Sequence, residues 1–429
     1  MSQELLTDEI KQQLGGVGPV EIVVGIPSYN NVRTIGRVVQ AAQVGLLKYF
    51  PERRALIVNS DGGSKDGTRQ AVDQANIDSQ QVLLVRHPLY PVHRLTTPYH
   101  GIPGKGSAFR TIFRIAEEVQ AAACAVVDSD LRSITPEWID LLLRPVLDLE
   151  FDYVAPYYKR HKYDGTITNS VIYPLTRALY GRRVRQPIGG EFGMSARVAR
   201  HYLSRDVWNT EVAGYGIDIW MTTTAIAEGF KVCQSYLGAK IHDAKDPGAD
   251  LSTMLVQVVG SVFRLMEDYV AVWPKVAASE AVPLFGFPFE VGLEPVPVNV
   301  ARMRDALRQG CRDLESIYRT FIPEDRLREL AACAALADDA FILPDELWAG
   351  LIYDFALAYH RRTLDRGHLV KSLTPLYLGW VASFAGQTAY ETASQVEDRI
   401  EHLCQVYEQL KPRLVEKWGI EAGEKRSAP

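Results

Sequence analysis

Residues 21 to 130 alternate between continuous apolar runs and amphipathic segments, and this alternation most limits the possible fold. Strands buried on both faces are predicted from four runs: EIVVGIPSY (21–29), RALIVNSDGG (54–63), QVLLVRH (81–87) and CAVVDSD (124–130). Helices are predicted between them, at 32–50, 66–75 and 105–120. Since buried strands separated by helices form βαβ units, the sequence predicts an α/β fold with a mainly parallel, Rossmann-like sheet.

The character of the chain changes after about residue 250, where long helical patterns dominate and strand signals are hard to find. We therefore predict four segments in chain order. They are an N-terminal helix and linker (1–18), an α/β sheet domain (19–255), a helical domain (256–420) and a disordered tail (421–429).

Composition excludes several classes of protein. With 47% hydrophobic and 23% charged residues, the 429-residue chain is typical of soluble globular proteins. A net charge of -5 gives no reason to expect nucleic acid or an anionic membrane as partner. No apolar run reaches the roughly 20 residues of a membrane span, and the polar N-terminus does not resemble a signal peptide. Five scattered cysteines without a CxxC pair indicate a reducing compartment, so we expect a cytoplasmic protein.

Two aspartates end the fourth predicted strand. Asp128 and Asp130 lie on one face of an extended segment, with Ser129 between them. Two like charges this close repel each other unless a positive group lies beside them. Mg²⁺ or Mn²⁺, which prefer oxygen ligands and share them with substrate phosphates, would suit this position. The alternative is an exposed turn, in which Asp and Ser are common.

Other polar residues lie at the predicted ends of strands or starts of helices. Lys105, in the glycine-rich HGIPGKGSAFRT, precedes a helix whose free N–H groups attract anions, and the glycines would allow close approach to a ligand. The alternative is an ordinary loop. Asp61 could hydrogen-bond a ribose or a base, whereas Asp66 is expected to cap the next helix.

Three later segments are also candidates. In RQPIGGEFGMS, Gly190 and Glu191 would form a tight loop suited to an acceptor or a sugar hydroxyl. Asp218, in GYGIDIWMTT, is also a candidate, although a lone Asp there is usually a helix N-cap or a paired core charge. His242, in AKIHDAKDPGADL, could complete a metal site or be structural.

Together, the ordered series IPSYN, DGGSKDGT, PGKG, DSD, QPIGGE, YGID and the His242 segment resembles the GT-A fold glycosyltransferases. The chain is most similar to retaining mannosylglycerate, glucosylglycerate and glucosyl-3-phosphoglycerate synthases, over roughly residues 20–255. The resemblance implies transfer of a glucose or mannose from a nucleotide diphosphate sugar to the 2-hydroxyl of D-glycerate or 3-phosphoglycerate, in compatible-solute synthesis.

The resemblance also implies residue roles. The residues that would bind the nucleotide sugar are Pro27, Tyr29, Asn30, Asp61, Lys105, Asp128, Ser129, Gly190 and Glu191. The catalytic residues would be Lys105, Glu191 and Asp218, and the ligands of Mg²⁺ or Mn²⁺ would be Asp128, Asp130 and His242. The acceptor would bind at Arg160, Thr166 and Thr168. The partners would be a GDP- or UDP-hexose, a small hydroxy acid and, from the long C-terminal helices, a second copy in a homodimer.

The sequence departs from the family's motifs at two positions. The middle residue of the family's DxD is often Ala, where this chain has Ser129, and some members carry Arg after the metal-binding His, where this chain has Asp243. The second departure leaves donor preference open. Alternatives to the predicted reaction are transfer to another small or lipid acceptor, and non-catalytic binding of a nucleotide sugar. A nucleotidyltransferase is disfavoured, because IPSYNNVRT replaces its Gly-rich first loop.

Overall fold

The computed structural model describes residues 5–75, 92–98, 104–242, 252–289 and 292–419. These residues form two compact units, each assembled from three segments of the chain. The sheet unit comprises Met1–His161, Val184–Ala244 and Ala281–Pro295, and the helical unit comprises Lys162–Arg183, Lys245–Glu280 and Val296–Pro429. The sequence predicted continuous domains divided at residue 255, whereas each observed unit takes residues from both sides of that position.

The sheet unit contains an eight-stranded, mainly parallel sheet, as predicted. Its strands are β1 (Ile22–Ser28), β2 (Ala55–Asp61), β3 (Val92–Pro98), β4 (Ala123–Val126), β5 (Tyr153–Lys159), β7 (Phe192–Ser195), β8 (Val232–Ala239) and β10 (Leu284–Phe285). Their order is β10-β8-β5-β7-β4-β1-β2-β3. Only β7 runs antiparallel to its neighbours, β4 and β5, among the described strands of this sheet. Two short strands lie outside it, β6 (Arg182–Arg183) and β9 (Glu280–Ala281).

Continuous apolar sequence explains the central strands. Every residue of β1 and β2 is buried, because both faces of a parallel sheet are covered. Alternate side chains of β1, such as Val24 and Ile26, share a core with apolar residues of the helices that flank the sheet, including Val38 and Leu142. This burial holds the strands in register, so that Ser28 lies opposite Asp61 where both strands end.

Seven α-helices of the sheet unit lie within the described residues. They are α1 (Asp8–Val17), α2 (Ile35–Tyr49), α3 (Thr68–Gln74), α4 (Lys105–Glu118), α5 (Glu137–Asp148), α7 (Ala196–Leu203) and α8 (Ile217–Ala227). The predicted helices within 32–50, 66–75 and 105–120 are thus present. The predicted strand 81–87 and the predicted disordered tail 421–429 lie outside the described residues, and β3 was not predicted.

The helical unit contains the remaining helices. They are α6 (Tyr173–Tyr180), α9 (Ser252–Asp268), α10 (Val300–Asp313), α11 (Glu315–Tyr318), α12 (Glu324–Ala335), α13 (Asp345–Arg361), α14 (Arg366–Ser372), α15 (Thr374–Thr388) and α16 (Ala393–Trp418). A capping box of Thr392 and Gln395 begins α16. Among the helices that the structure describes, none is long and apolar enough to cross a bilayer.

A buried arginine joins α6 to α16 within the helical unit. The Arg177 side chain is only 1% exposed. Its guanidinium donates to both carboxylate oxygens of Glu401, at 2.5 and 2.8 Å, and to Glu408 at 2.9 Å. A planar guanidinium that donates to two carboxylates in this way fixes the relative position of the two helices.

We expect Arg177→Met to lower the free energy of unfolding by about 2–4 kcal/mol, since the two carboxylates lose a buried, charge-assisted partner. Urea denaturation measures the change. The matched control is Arg399→Met, which removes a half-exposed arginine paired with Glu391 and should cost less than about 1 kcal/mol. Equal losses from the two variants would contradict this role of Arg177.

Candidate active site

Asp61 forms the centre of a hydrogen-bond network where β1 and β2 end. Its carboxylate accepts from the Ser28 hydroxyl at 3.2 Å, from the backbone N–H groups of Gly63 and Ser64 at 3.0 Å and from Arg69 Nε at 2.8 Å. Burial opposes the charged form of Asp61, but the hydrogen bonds from Ser64 and Arg69 outweigh it and hold its pKa below the ordinary value. Asp61 is therefore a fixed anion at the carboxyl edge of the sheet.

The residues after β1 connect to the same loop. Pro27 lies in β1, and the Tyr29 ring that follows is 62% exposed. Asn30 has a positive φ of 55°, its N–H donates to Ser64 Oγ at 2.8 Å and its side chain accepts from Lys65 N–H at 3.0 Å. Asn30 is thus held by the loop that follows β2, while Tyr29 presents its ring outward.

Ser129 links the end of β4 to the end of β1. Its hydroxyl donates to Asn31 Oδ1 at 2.8 Å, and its carbonyl accepts from Thr34 Oγ1 at 2.7 Å. The Asn31 side chain also accepts from the Tyr29 N–H, at 2.9 Å. The Ser between the two aspartates therefore holds the ends of two strands together.

Asp128 lies between two lysines. Lys105 Nζ is 2.8 Å from its Oδ1, and Lys240 Nζ is 2.9 Å from its Oδ2. Burial opposes its charged form, but the two ammonium groups hold the pKa of Asp128 well below the ordinary value. Asp128 is thus ionised and paired on both oxygens.

Each lysine reaches a second carboxylate. Lys105 Nζ is 3.0 Å from Asp218 Oδ2, and Lys240 Nζ is 2.9 and 3.0 Å from the two oxygens of Glu191. The five residues form a row, Asp218–Lys105–Asp128–Lys240–Glu191, which we call the ion row. Three carboxylates alternate with two ammonium groups along it.

The ends of the ion row are buried carboxylates. Glu191 is fully buried, and the Tyr158 hydroxyl also donates to it. Burial raises the pKa of Glu191 and, less strongly, that of Asp218, in both cases against the nearby lysines. Asp218 Oδ1 is buried and accepts no hydrogen bond from the described residues. This oxygen is available to a hydroxyl group of a ligand.

Two glycines beside Lys105 have a packing role. A Cβ on Gly104 would lie 2.3 Å from the Ala213 carbonyl oxygen, and a Cβ on Gly106 would lie 1.9 Å from that of Val212. Both glycines therefore let the first turn of α4 contact the backbone of 212–214, just before α8. This contact brings Lys105 to Asp218, and close approach of a ligand to the glycines stays a prediction.

The predicted metal ligands are not assembled in this structure. No group of three His, Cys, Asp or Glu side chains within the described residues is placed to hold a metal ion. Asp130 is half-buried, and the His242 carbonyl accepts from Arg132 at 3.4 Å. By ligand type, Asp128, Asp130 and His242 fit Mg²⁺ or Mn²⁺. Each oxygen of Asp128 already contacts one lysine, and the metal site stays a prediction.

The predicted acceptor residues fall in different units. Arg160 follows β5 in the sheet unit, with its guanidinium 5.3 Å from the centre of the Tyr158 ring. Thr166 and Thr168 belong to the helical unit and are buried there, and the Thr166 hydroxyl is 2.6 Å from the Tyr377 hydroxyl. Acceptor binding by these residues stays a prediction.

Sequence reasoning missed Lys240. It directly follows β8 and precedes His242 by two residues, so a lysine at the end of an apolar strand was the available signal. Arg69 was also missed, because its partner Asp61 lies eight residues earlier across a loop.

Comparison with known proteins identifies the class of enzyme to which the chain is similar. The family model for the mannosylglycerate synthase GT domain matches residues 59–263. No curated protein gives a significant match. Among solved structures, glucosyl-3-phosphoglycerate synthase from Mycobacterium tuberculosis with Mn²⁺, UDP and glucosyl-3-phosphoglycerate is 19% identical, with a TM-score of 0.41 over 62% of this chain and 85% of that one.

Two further solved structures match this chain with similar sequence identity, TM-score and coverage. The same enzyme with phosphoglyceric acid is 20% identical, with a TM-score of 0.43 over 62% of this chain and 85% of that one. A mycobacterial protein is 22% identical, with a TM-score of 0.40 over 62% and 80%. At this level of likeness no residue role transfers from those structures. The family match confirms the resemblance read from the motifs, and the chain is a glycosyltransferase in which residues 59–263 are similar to the GT domain of mannosylglycerate synthase.

Proposed function

We propose that this glycosyltransferase moves a hexose from a nucleotide diphosphate sugar to the 2-hydroxyl of D-glycerate or 3-phosphoglycerate, with retention of anomeric configuration. The observation that carries the proposal is the ion row at the carboxyl edge of the sheet, in a chain that matches the mannosylglycerate synthase GT domain. Ligands of open α/β sheets bind at this edge.

The donor's nucleoside would bind at the ends of β1 and β2. Asp61 is a fixed anion there and can accept a hydrogen bond from a base or ribose. Tyr29 offers an exposed ring that a base can stack on. Pro27, Asn30 and Ser129 shape the same edge. These properties support a nucleoside site and do not choose between UDP and GDP.

The diphosphate would bind at the start of α4. Lys105 is the first residue of that helix, so its ammonium group and the free N–H groups of the first turn attract an anion together. Asp128, Asp130 and His242 would hold Mg²⁺ or Mn²⁺, which would offset negative charge on the leaving diphosphate.

The donor sugar would lie against Asp218 and the Gly190–Glu191 turn. Asp218 Oδ1 is buried and receives no hydrogen bond from the described residues, so a sugar hydroxyl would satisfy it. Glu191 is already bonded to Lys240 and Tyr158, which suits it to shape the site. We assign sugar orientation to Asp218 first.

In the proposed reaction, the acceptor hydroxyl attacks the anomeric carbon from the side of the leaving group. The bond from that carbon to the diphosphate oxygen breaks, the bond to the glycerate 2-oxygen forms, and the hydroxyl proton passes to the departing diphosphate oxygen. No protein nucleophile is used. Lys105 stabilises the charge that develops on the leaving group, and orientation of the acceptor contributes further, up to about 7–11 kcal/mol.

The proposal is tested by incubating the purified protein with Mg²⁺ and a panel of UDP- and GDP-hexoses, with glycerate or 3-phosphoglycerate, and analysing products by mass spectrometry. We expect one hexosyl-glycerate product. Product formed only with another acceptor would change the acceptor class, and binding of the nucleotide sugar without turnover would indicate a sensor. Light scattering on the same preparation tests the proposed homodimer.

Arg160 is proposed to bind the acceptor carboxylate, since a guanidinium can hold a carboxylate through two parallel hydrogen bonds. We expect Arg160→Ala to raise the KM for the acceptor about 10- to 100-fold, the effect of losing a charged hydrogen bond, with little change in the donor KM. Steady-state kinetics with each substrate varied in turn measures both. Arg144→Ala, at a half-exposed arginine on α5, is the control, and equal effects on both KM values would remove Arg160 from the acceptor site.

A further inference from the structure

Lys240 uses its whole hydrogen-bonding capacity inside the protein. Its ammonium group contacts Asp128 Oδ2 at 2.9 Å, the Gly189 carbonyl at 2.7 Å and the Glu191 oxygens at 2.9 and 3.0 Å. An ammonium group has three protons, and three residues take them. The side chain is 5% exposed. Lys240 therefore has no proton left for a ligand.

Lys105 is bound less completely. Within the described residues, its ammonium group contacts Asp128 at 2.8 Å and Asp218 at 3.0 Å, and its side chain is 15% exposed. An ammonium group has three protons, so no described residue takes the third. Both lysines contact Asp128, but Lys240 has more hydrogen-bond partners among the described residues than Lys105 has.

The backbone beside Lys240 is built around it. Gly190 has a φ of 97°, and a Cβ there would lie 2.2 Å from Asp128 Oδ2 and 2.8 Å from Lys240 Nζ. The chain can press against this ion pair only because the residue is glycine, in a conformation that other residues rarely adopt. The QPIGGE turn is therefore shaped by Lys240, which also bonds to the carbonyl of Gly189.

A bound diphosphate would compete with Asp128 for the cations of the ion row. The row holds three carboxylates and two ammonium groups, and each oxygen of Asp128 contacts one lysine. An ionised carboxylate can accept about four hydrogen bonds, so Asp128 does not itself force either lysine away. The contacts above make Lys105 the lysine that can leave Asp128 with the smaller loss.

We propose that Lys240 is a positioning residue, which stays bonded to Asp128 and Glu191 throughout, whereas Lys105 exchanges from Asp128 to the donor's diphosphate. This division of roles rests on the proposed transferase function. Lys240 would keep Asp128 aimed at the donor and Glu191 against the sugar without touching either substrate.

The test compares Lys240→Met with its matched control Lys105→Met. Lys240→Met should lower the thermal midpoint by roughly 10 °C, because two buried carboxylates lose their shared cation. It should lower kcat on the order of 100-fold, while the affinity for UDP or GDP with Mg²⁺, whichever the wild type binds, changes less than about threefold. Lys105→Met should weaken that nucleotide affinity at least about tenfold, with a smaller change in thermal midpoint.

A charge-balanced double variant separates positioning from general damage. Lys240→Met with Glu191→Gln removes one cation and one anion together, so the net charge of the ion row is unchanged. It should recover more than half of the lost thermal midpoint, and its kcat should stay below that of Glu191→Gln alone, because Asp128 also loses its positioning. It also supplies a folded protein for calorimetry if the single variant does not fold.

The outcomes are distinct. If Lys240→Met loses thermal stability but keeps kcat, Lys240 is merely structural. If it weakens nucleotide binding as much as Lys105→Met, Lys240 contacts the diphosphate. Either result overturns the proposal. If the wild type binds the nucleotide but transfers no sugar, the proposed function fails, and the calorimetric comparison of the two lysines still decides which of them exchanges.

Discussion

Replacing Asp130 with alanine is expected to abolish sugar transfer and to leave the fold intact. Asp130 is half-buried and forms no ion pair within the described part of the chain, unlike Asp128 two residues earlier. Within the described residues, the substitution therefore breaks no ion pair, although Asp130 acts on Lys240 electrostatically. Its proposed contribution is to hold a divalent cation at the leaving diphosphate, an electrostatic effect worth several kcal/mol.

We expect kcat of Asp130→Ala to fall at least about 1,000-fold, since each tenfold corresponds to about 1.4 kcal/mol of barrier. Product formation with Mg²⁺ present measures the loss, and thermal unfolding measures the fold. The control is Asp73→Ala, an exposed aspartate on α3, for which both quantities should match the wild type. Full activity of Asp130→Ala would remove this residue from the proposed metal site.

The second large effect is expected at Gly106. In Gly106→Ala the new Cβ would lie 1.9 Å from the Val212 carbonyl oxygen, a distance at which backbone must move. The first turn of α4 would then separate from residues 212–214, and Lys105 would be displaced from Asp218. We expect a loss of about 2–4 kcal/mol in the free energy of unfolding, as for severe overpacking, and a loss of most transferase activity.

Urea denaturation and the product assay measure these two changes. Gly36→Ala is the control, because Gly36 also lies in a helix of the sheet unit but its nearest neighbour would be 3.8 Å from the new Cβ. That variant should be neutral or stabilised by up to about 1 kcal/mol. If Gly106→Ala is as stable as Gly36→Ala, the backbone of residues 212–214 can move away from the new methyl group without a loss in the free energy of unfolding.

The sequence alone predicted the central strands, since β1, β2 and β4 are buried on both faces and therefore appear as uninterrupted apolar runs. It could not predict β7, which is four residues long and runs antiparallel to its neighbours. A strand this short has too few residues to show a periodicity. Its place between β4 and β5 depends on pairing between residues about 40 to 70 positions apart.

The positions of two acidic residues could also be predicted, because Asp61 ends β2 and Asp128 follows β4, and the ends of these strands must meet at one edge. The lysine partners of Asp128 could not be predicted from the sequence. Lys105 and Lys240 are 135 residues apart, and only the folded chain brings them to the two oxygens of Asp128. The glycines near Lys105 show the same limit, since the backbone that they accommodate lies more than 100 residues later.

The discontinuous helical unit has a consequence for how the chain must be synthesised. Residues 162–183 leave the ribosome long before their partners, for Arg177 bonds to Glu401 and Thr166 to Tyr377, each more than 200 residues later. Domains commonly fold in order from the N-terminus during translation. Arg177 can therefore form these hydrogen bonds only after most of the polypeptide has been synthesised. A nascent chain halted near residue 300 should bind chaperones strongly.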